Sequence, residues 1–234
     1  FLFVVLLLLV FFPPKSFSGG LEVGVRLGMF PFLALLLWSA MGTFPRWLQQ
    51  SVPVIAAGFA VVFLAIRLPV QQNASKLAAE VVSCKEYILE KSTLLTLNYD
   101  WAGKNSDGSD IADRIWLFGH VDCYLGQYRQ LIISDNYEAN FWYFPTIARW
   151  ETNMYTQTDK DGINFDHRPP RADFMSYSRR TGGQNIDYVL LLFYRPEFGE
   201  HPYSKEIFEQ LQVGYQVVYQ SPTGRAQLYR RKQQ

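Results

Sequence analysis

The sequence predicts a membrane α-helical N-terminal part, with two to three transmembrane helices, followed by a small α/β domain. The sheet of that domain is expected to be mixed and partly parallel and to end in a β-hairpin. Three observations support this: long uncharged apolar runs before residue 68, a nearly continuous apolar segment at 186–194, and a closing helix and strand pair joined by Ser221-Pro222-Thr223-Gly224. We therefore divide the chain into a transmembrane part, 1–68, and a soluble domain, 70–234.

Three apolar segments fill the first part. Segments 27–44 and 48–66 contain no charged residue, and a spanning helix needs roughly 17–25 mostly apolar residues. Residues 1–12 are apolar throughout, with neither a basic segment before them nor a small-residue cleavage site after them. They therefore predict a truncated transmembrane helix and not a signal peptide. The whole pattern is typical of the C-terminal part of a larger membrane protein.

The charge and cysteine content exclude several classes of function. Residues 69–234 contain 18 basic and 20 acidic side chains, so the domain lacks the basic surface that nucleic-acid binding requires. With three His residues and no CxxC pair we predict no metal site, and with no GxGxxG or GxxxxGK[ST] motif we predict no cofactor. Cys84 and Cys123 are compatible with one disulfide or with two buried thiols.

The periodicity of apolar residues locates the elements of the domain. A stripe of Leu77, Val81, Cys84 and Ile88 at helical spacing predicts a helix over 73–90, capped by Asn73 or Ser75. The segment 136–173 is long and irregular, which is typical of a functional or partly disordered loop. Further elements are predicted as strands at 92–97, 131–134 and 186–194, helices at 111–127 and 202–213, and a hairpin from 216–220 and 225–230.

Two polar clusters are candidate ligand sites. The first combines His120 and Asp122 with Asn136, Tyr137 and Glu138, which follow a predicted strand. Ligands of open α/β sheets bind at the carboxyl ends of the strands, so these residues could meet there. His120 and Asp122 are suited to proton transfer, and Glu138 to a cation or a sugar hydroxyl. The structural alternative is that His120 and Asp122 pair with each other or with the backbone.

The second cluster lies in the irregular segment. Arg168 and Arg171 flank Pro169-Pro170 beside Asp166 and Asp173, and arginine binds phosphate through its forked guanidinium group. A solvated surface loop of the same composition is the alternative. No complete catalytic constellation is present, and no GxSxG or HExxH motif occurs, so the catalytic residues stay unassigned.

The layout resembles the C-terminal end of bacterial polytopic membrane glycosyltransferases of the GT-C type, which use a lipid-linked sugar donor. Three stretches carry the resemblance: 13–26 (PPKSFSGGLEVGVR) between two apolar segments, His120–Pro145, and the closing strand, helix and hairpin at 187–230. In that family the catalytic acidic residue lies in an early loop near the N-terminal helices, for which this sequence has no counterpart. The resemblance therefore transfers no catalytic residue.

Two functions stay open at this point. The resemblance implies a glycosyltransferase-like protein of cell-envelope polysaccharide or glycolipid assembly, with the lipid bilayer and a lipid-linked sugar or glycan as partners. The alternative is a non-enzymatic membrane-anchored binding or assembly module. The resemblance also implies a domain outside the inner (plasma) membrane, whereas Lys15, Arg26, Arg67, Lys76 and Lys85 on the domain side, against Arg46 opposite, favour the cytoplasm.

Overall fold

The structure, a computed structural model, describes residues 16–17, 20–21, 30–31, 33–34, 36–37, 42–104, 107–111, 116–135, 139 and 147–233. The chain divides into two compact units, Phe1–Ala65 and Ile66–Gln234. In the first unit, two-residue strands at Ser16–Phe17 and Gly20–Leu21 pair antiparallel.

A long helix, α1, runs from Arg46 to Val82. Its 37 residues give a length of about 55 Å, compared with about 30 Å for the hydrocarbon core of a bilayer. Among the residues that the structure describes, this is the one helix long and apolar enough to cross a membrane. None of its most apolar stretch is buried, and the side chains of Phe59 and Leu64 are exposed.

The prediction of two to three transmembrane helices is therefore not confirmed, although one apolar helix is present. The predicted span at 48–66 lies within α1. The predicted span at 1–12 lies outside the described residues, and that at 27–44 is described only at scattered positions.

The predicted helix start at Asn73 is wrong, because α1 continues through Pro69 and Asn73 to Val82. A proline inside a helix removes one hydrogen bond to the carbonyl four residues earlier, and helix-forming Gln and Ala residues follow Pro69. A 3-10 helix at Ser83–Tyr87 then ends the segment. The predicted apolar stripe is confirmed, since all four of its side chains are buried: Leu77, Val81, Cys84 and Ile88.

Five strands form one mixed sheet: β1 (Ser92–Asn98), β2 (Leu131–Ile133), β3 (Tyr188–Leu192), β4 (Tyr215–Gln220) and β5 (Ala226–Arg231). Their order across the sheet is β2-β1-β3-β5-β4. Strand β1 pairs parallel with both β2 and β3, and β5 pairs antiparallel with β3 and β4. The predicted partly parallel sheet with a closing hairpin is thus confirmed.

Helix α4 (Pro202–Gly214) begins at the His201 cap, with proline at its first position, and connects β3 to the hairpin. Pro at that position is favoured because its missing N–H would have no partner in the helix. Two further helices, α2 (Met154–Gln157) and α3 (Tyr177–Arg180), are single turns. Short 3-10 helices lie at Trp150–Thr152 and Pro196–Phe198.

The core fills both faces of the sheet. On one face, Leu95 and Val189 pack with Ile207 and Leu211 of α4. On the other face, Leu94 and Leu190 pack with the buried stripe at the end of α1 and with a 3-10 helix at Val121–Gln127. All five residues of β3 are buried, as a strand covered on both faces requires.

The predicted helix over 111–127 is only partly correct. Its described part contains a turn at 117–120 and then the 3-10 helix Val121–Gln127. Gly119 lies in the turn, where its low helix propensity does not destabilise the structure. The consequence for the site is that His120 stands at the start of a short helix, with Asp122 and Cys123 in its first turn.

Candidate functional site

The parallel pairing of β1, β2 and β3 brings three chain segments to the same edge of the sheet. Strand β2 is extended by Ser134, whose N–H donates to the Leu94 carbonyl at 2.9 Å and whose hydroxyl accepts from the Thr96 N–H at 3.0 Å. This pairing fixes the backbone immediately before Asp135. At the end of β1, the Asp100 carboxylate accepts hydrogen bonds from the following turn.

Asp122 lies beneath this edge, against the face of β1. Its side chain accepts a hydrogen bond from the Thr96 hydroxyl at 2.5 Å, and only 1% of the residue is exposed. Burial raises the pKa of Asp122 far above its ordinary value, and the neighbouring Asp135 carboxylate raises it further. Two adjacent carboxyl groups do not easily both carry a charge, so the proximity of Asp135 favours the protonated form of Asp122.

His120 pairs with the same aspartate from the solvent side. Its Nδ1 lies 2.7 Å from Oδ2 of Asp135, and about half of the imidazole is exposed. The hydrogen bond to Asp135 raises the pKa of His120, and the charges of Asp135, Asp122 and Asp166 add to the effect against the opposing cost of burial. Asp135 thus lies between the buried Asp122 carboxyl on one side and the His120 imidazole on the other.

Cys123 follows His120 by one turn of the 3-10 helix and is exposed. One ligand atom from each of His120, Cys123 and Asp135 lies within 4.8 Å of the other two. Cys84 is buried in the core instead, where burial raises the pKa of its thiol to about 12. The two cysteines form no disulfide, so the paired alternative is wrong. The two-thiol alternative holds for Cys84, whereas Cys123 is exposed and not buried.

Arg168 joins the acidic cluster from the irregular segment. Its guanidinium carbon lies 3.6 Å from the centre of the Trp101 ring. Burial lowers the pKa of Arg168 to about 10, against the opposing charges of Asp166, Asp135 and Asp100. Burial and the Asp135 charge also raise the pKa of Asp166. Arg168 therefore offsets part of the negative charge that Asp100, Asp135 and Asp166 concentrate at this edge.

Arg171 lies in a different environment. Its guanidinium donates to both carboxylate oxygens of Glu206 on α4, at 3.1 and 3.2 Å, and to Asp161 at 2.9 Å. The ring of Tyr203 lies beneath it. These contacts hold the irregular segment against α4, so they support a structural role for Arg171. Of the two predicted arginines, Arg168 is the one that shares its surroundings with the first polar cluster.

A cavity of about 890 Å³ opens beside the Asp135 cluster. This volume is typical of small-molecule sites. The three possible metal ligands all line it. Seven apolar residues form much of the wall: Leu131, Ile132, Ile133, Ala139, Ile147, Ala148 and Met154. The rest of its polar wall is mostly uncharged, with hydroxyl and amide groups from Thr93, Ser134, Thr152, Asn153, Tyr177 and Gln184, and one guanidinium from Arg149.

The predicted site residues thus have three outcomes. His120, Asp122 and Arg168 share one polar centre, and Arg171 lies elsewhere. Asn136, Tyr137 and Glu138 lie outside the described residues. Asp135 begins the same polar run as Asn136, but the sequence prediction assigned it no role. Its position directly after strand β2 was the available signal. Thr96 and Thr152 carried no signal, because a hydroxyl in a strand or loop is ordinary.

Comparison of the chain with known protein families, with curated proteins and with solved structures finds no match. The fold therefore defines only a structural class. In the part of the chain that the structure describes, one helix long and apolar enough to span a membrane precedes an α/β domain with a mixed five-stranded sheet.

Proposed function

We propose that this chain is a membrane-anchored part of a glycosyltransferase-like protein of cell-envelope polysaccharide or glycolipid assembly. The α/β domain binds the saccharide portion of a lipid-linked sugar or glycan in the cavity beside Asp135. The domain lies outside the inner membrane, and α1 is its anchor. The observation that carries the proposal is the chemistry of the cavity wall.

The polar part of that wall suits a neutral ligand with many hydroxyl groups. Hydroxyl and amide side chains both donate and accept hydrogen bonds, as sugar hydroxyls do. Asp135 adds a strong acceptor, and His120 adds a ring nitrogen. With Arg149 as the one guanidinium among the described lining residues, the wall is poorly suited to hold a phosphate tightly.

The order of elements along the chain supports the proposal that α1 anchors the domain in a membrane. A helix that is apolar and exposed over a membrane-spanning length is stable when lipid surrounds it. The same order, an apolar helical part followed by a small α/β domain, underlies the resemblance to GT-C glycosyltransferases. A lipid-linked donor would reach such a domain from the bilayer surface.

The proposal is tested by ligand binding to the full chain in lipid nanodiscs. Saturation-transfer NMR with the methyl glycosides of glucose, mannose and galactose and with N-acetylglucosamine should detect at least one bound sugar. Ala148→Phe places a ring in the cavity and should abolish that signal. The matched variant Gln212→Phe adds the same ring on the exposed side of α4 and should leave the signal unchanged.

Two results would count against the proposal. One is no binding of any sugar by a folded chain, and the other is equal binding by the Ala148→Phe variant. Sugar binding without transfer is expected of both functions left open by the sequence, because the chain has no counterpart of the catalytic loop of GT-C enzymes. Transfer from a polyprenyl-phosphate sugar by a longer chain that includes such a loop would identify the enzymatic function, and its absence there would overturn the glycosyltransferase part of the proposal.

A further inference from the structure

We propose that His120, Cys123 and Asp135 form a binding site for a divalent transition-metal ion of the zinc type, with a coordination position open to the cavity. Their ligand atoms lie within 4.8 Å of one another, and all three side chains line the same cavity. The sequence predicted no metal site, because these residues form no recognised spacing motif. Only the pairing of β2 with β1 brings Asp135 to the 3-10 helix that carries the other two.

The donor set determines the class of metal. An imidazole nitrogen, a thiolate sulfur and a carboxylate oxygen are the three donor types that zinc binds. A thiolate disfavours Mg²⁺ and Ca²⁺, which prefer oxygen donors. Three protein ligands leave the fourth tetrahedral position to water or to a ligand, as in zinc sites with a chemical role. Here the empty space beside the three ligands is the cavity.

Donor atoms of a tetrahedral zinc site lie about 3.5 Å apart, given metal–ligand distances of about 2.0–2.3 Å. The 2.7 Å hydrogen bond between His120 Nδ1 and Asp135 Oδ2 is shorter than this spacing, so metal binding replaces it with bonds to the ion. The Cys123 thiol is exposed, and the three ligand atoms lie within 4.8 Å of one another. Asp135 is already fixed by the backbone pairing of Ser134.

The buried carboxyl of Asp122 lies beside the proposed ligand Asp135 and accepts a hydrogen bond from Thr96. Ligating carboxylates in metal sites are commonly oriented by such outer polar groups, whose loss costs about 10–100-fold in affinity. When the metal binds, Cys123 becomes a thiolate and its proton goes to solvent, so the affinity rises with pH.

The test is a Co²⁺ titration of the full chain in detergent, in which a thiolate ligand produces a charge-transfer band in the near ultraviolet. We expect one Co²⁺ per chain, displacement by Zn²⁺, and release of at least one proton per metal bound. Cys123→Ser should remove the band. His120→Gln and Asp135→Asn should each weaken binding at least about tenfold, and Asp122→Asn should weaken it about 10–100-fold.

Matched controls come from the same residue types elsewhere in the domain. Cys84→Ala, His167→Gln and Asp107→Asn should retain the band and the affinity, with folding checked by circular dichroism. The proposal is overturned if the wild-type chain gives no band, if the band survives Cys123→Ser, or if a control variant loses it. The sugar-binding result does not affect this outcome, since Co²⁺ binding is measured without sugar.

Discussion

Arg168 and Arg171 show how two arginines three positions apart serve different purposes. Arg168 stacks on Trp101 among acidic side chains at the sheet edge. Arg171 is only 11% exposed at its side chain and forms a two-pronged ion pair with Glu206. A bidentate guanidinium–carboxylate pair has fixed geometry, so it contributes more than a flexible surface pair.

We predict that Arg171→Gln destabilises the domain by about 1 kcal/mol at neutral pH. The hydrogen bonds from Arg171 are the main cause that lowers the pKa of Glu206 below 4.5. A lowered carboxyl pKa contributes stability that is fully present above the unfolded-state pKa and is lost as the pH falls through the folded-state pKa. The difference in melting temperature between wild type and variant should therefore be largest above about pH 4.5 and vanish in acid.

Lys205→Gln provides the control on the same helix. The pair of Lys205 with Glu200 is highly exposed, with side-chain exposures of 53% and 92%, and its removal should leave the melting temperature unchanged at every pH. A pH-independent loss for Arg171→Gln would show that its packing on Tyr203, and not its charge pair, supplies the stability.

At the scale of elements, β3 organises the domain. It pairs parallel with β1 on one side and antiparallel with β5 on the other, and all five of its residues are buried. It thus joins the parallel half of the sheet, which carries the candidate site, to the hairpin that closes the fold. A defect in β3 should therefore weaken both halves together.

Leu190→Ala tests this role of β3. The Leu190 side chain is fully buried between β1, β5 and the end of α1, so we expect a loss of about 2–5 kcal/mol in the free energy of unfolding. Val217→Ala on the outer strand β4, where the side chain is 54% exposed, should cost less than about 1 kcal/mol. Thermal unfolding followed by near-ultraviolet circular dichroism would compare them. Equal losses would contradict the central role of β3.

At the scale of the whole molecule, α1 belongs to both compact units, because the boundary between Ala65 and Ile66 falls inside the helix. The N-terminal part of the helix exposes apolar side chains all round, whereas its C-terminal part buries Leu77 and Val81 in the domain core. The same helix is therefore exposed along its apolar N-terminal part and packed into the domain core at its C-terminal end.

Charge placed in the apolar part of α1 should release the chain from membranes. We predict that Phe59→Lys with Phe63→Lys lowers the fraction of expressed chain that resists carbonate extraction, since each charge costs about 2.5–3.5 kcal/mol at a helix centre. Ala74→Lys with Ala78→Lys, at the same spacing outside the apolar part, keeps the chain membrane-bound. Extraction of the wild-type chain by carbonate alone would refute the anchor.

The sequence by itself determined the elements whose pattern is local. The apolar run of α1, the buried strand β3 and the closing hairpin follow from periodicity and turn residues, and so does the stripe that ends in Ile88. The prediction was wrong at the start of the second helix. A new helix was expected to begin at Asn73, but α1 continues through Pro69 to Val82, since one lost hydrogen bond did not outweigh the helix on either side.

Only the tertiary structure decided which polar residues meet. His120 and Asp135 are fifteen positions apart and Arg168 lies further still, yet one acidic centre contains them all. Arg171, which the sequence could not distinguish from Arg168, pairs with α4 instead. The reason is that parallel strand pairing joins distant segments, as in the contact of Thr93 with Asp187, and its register depends on the whole core and not on neighbouring residues.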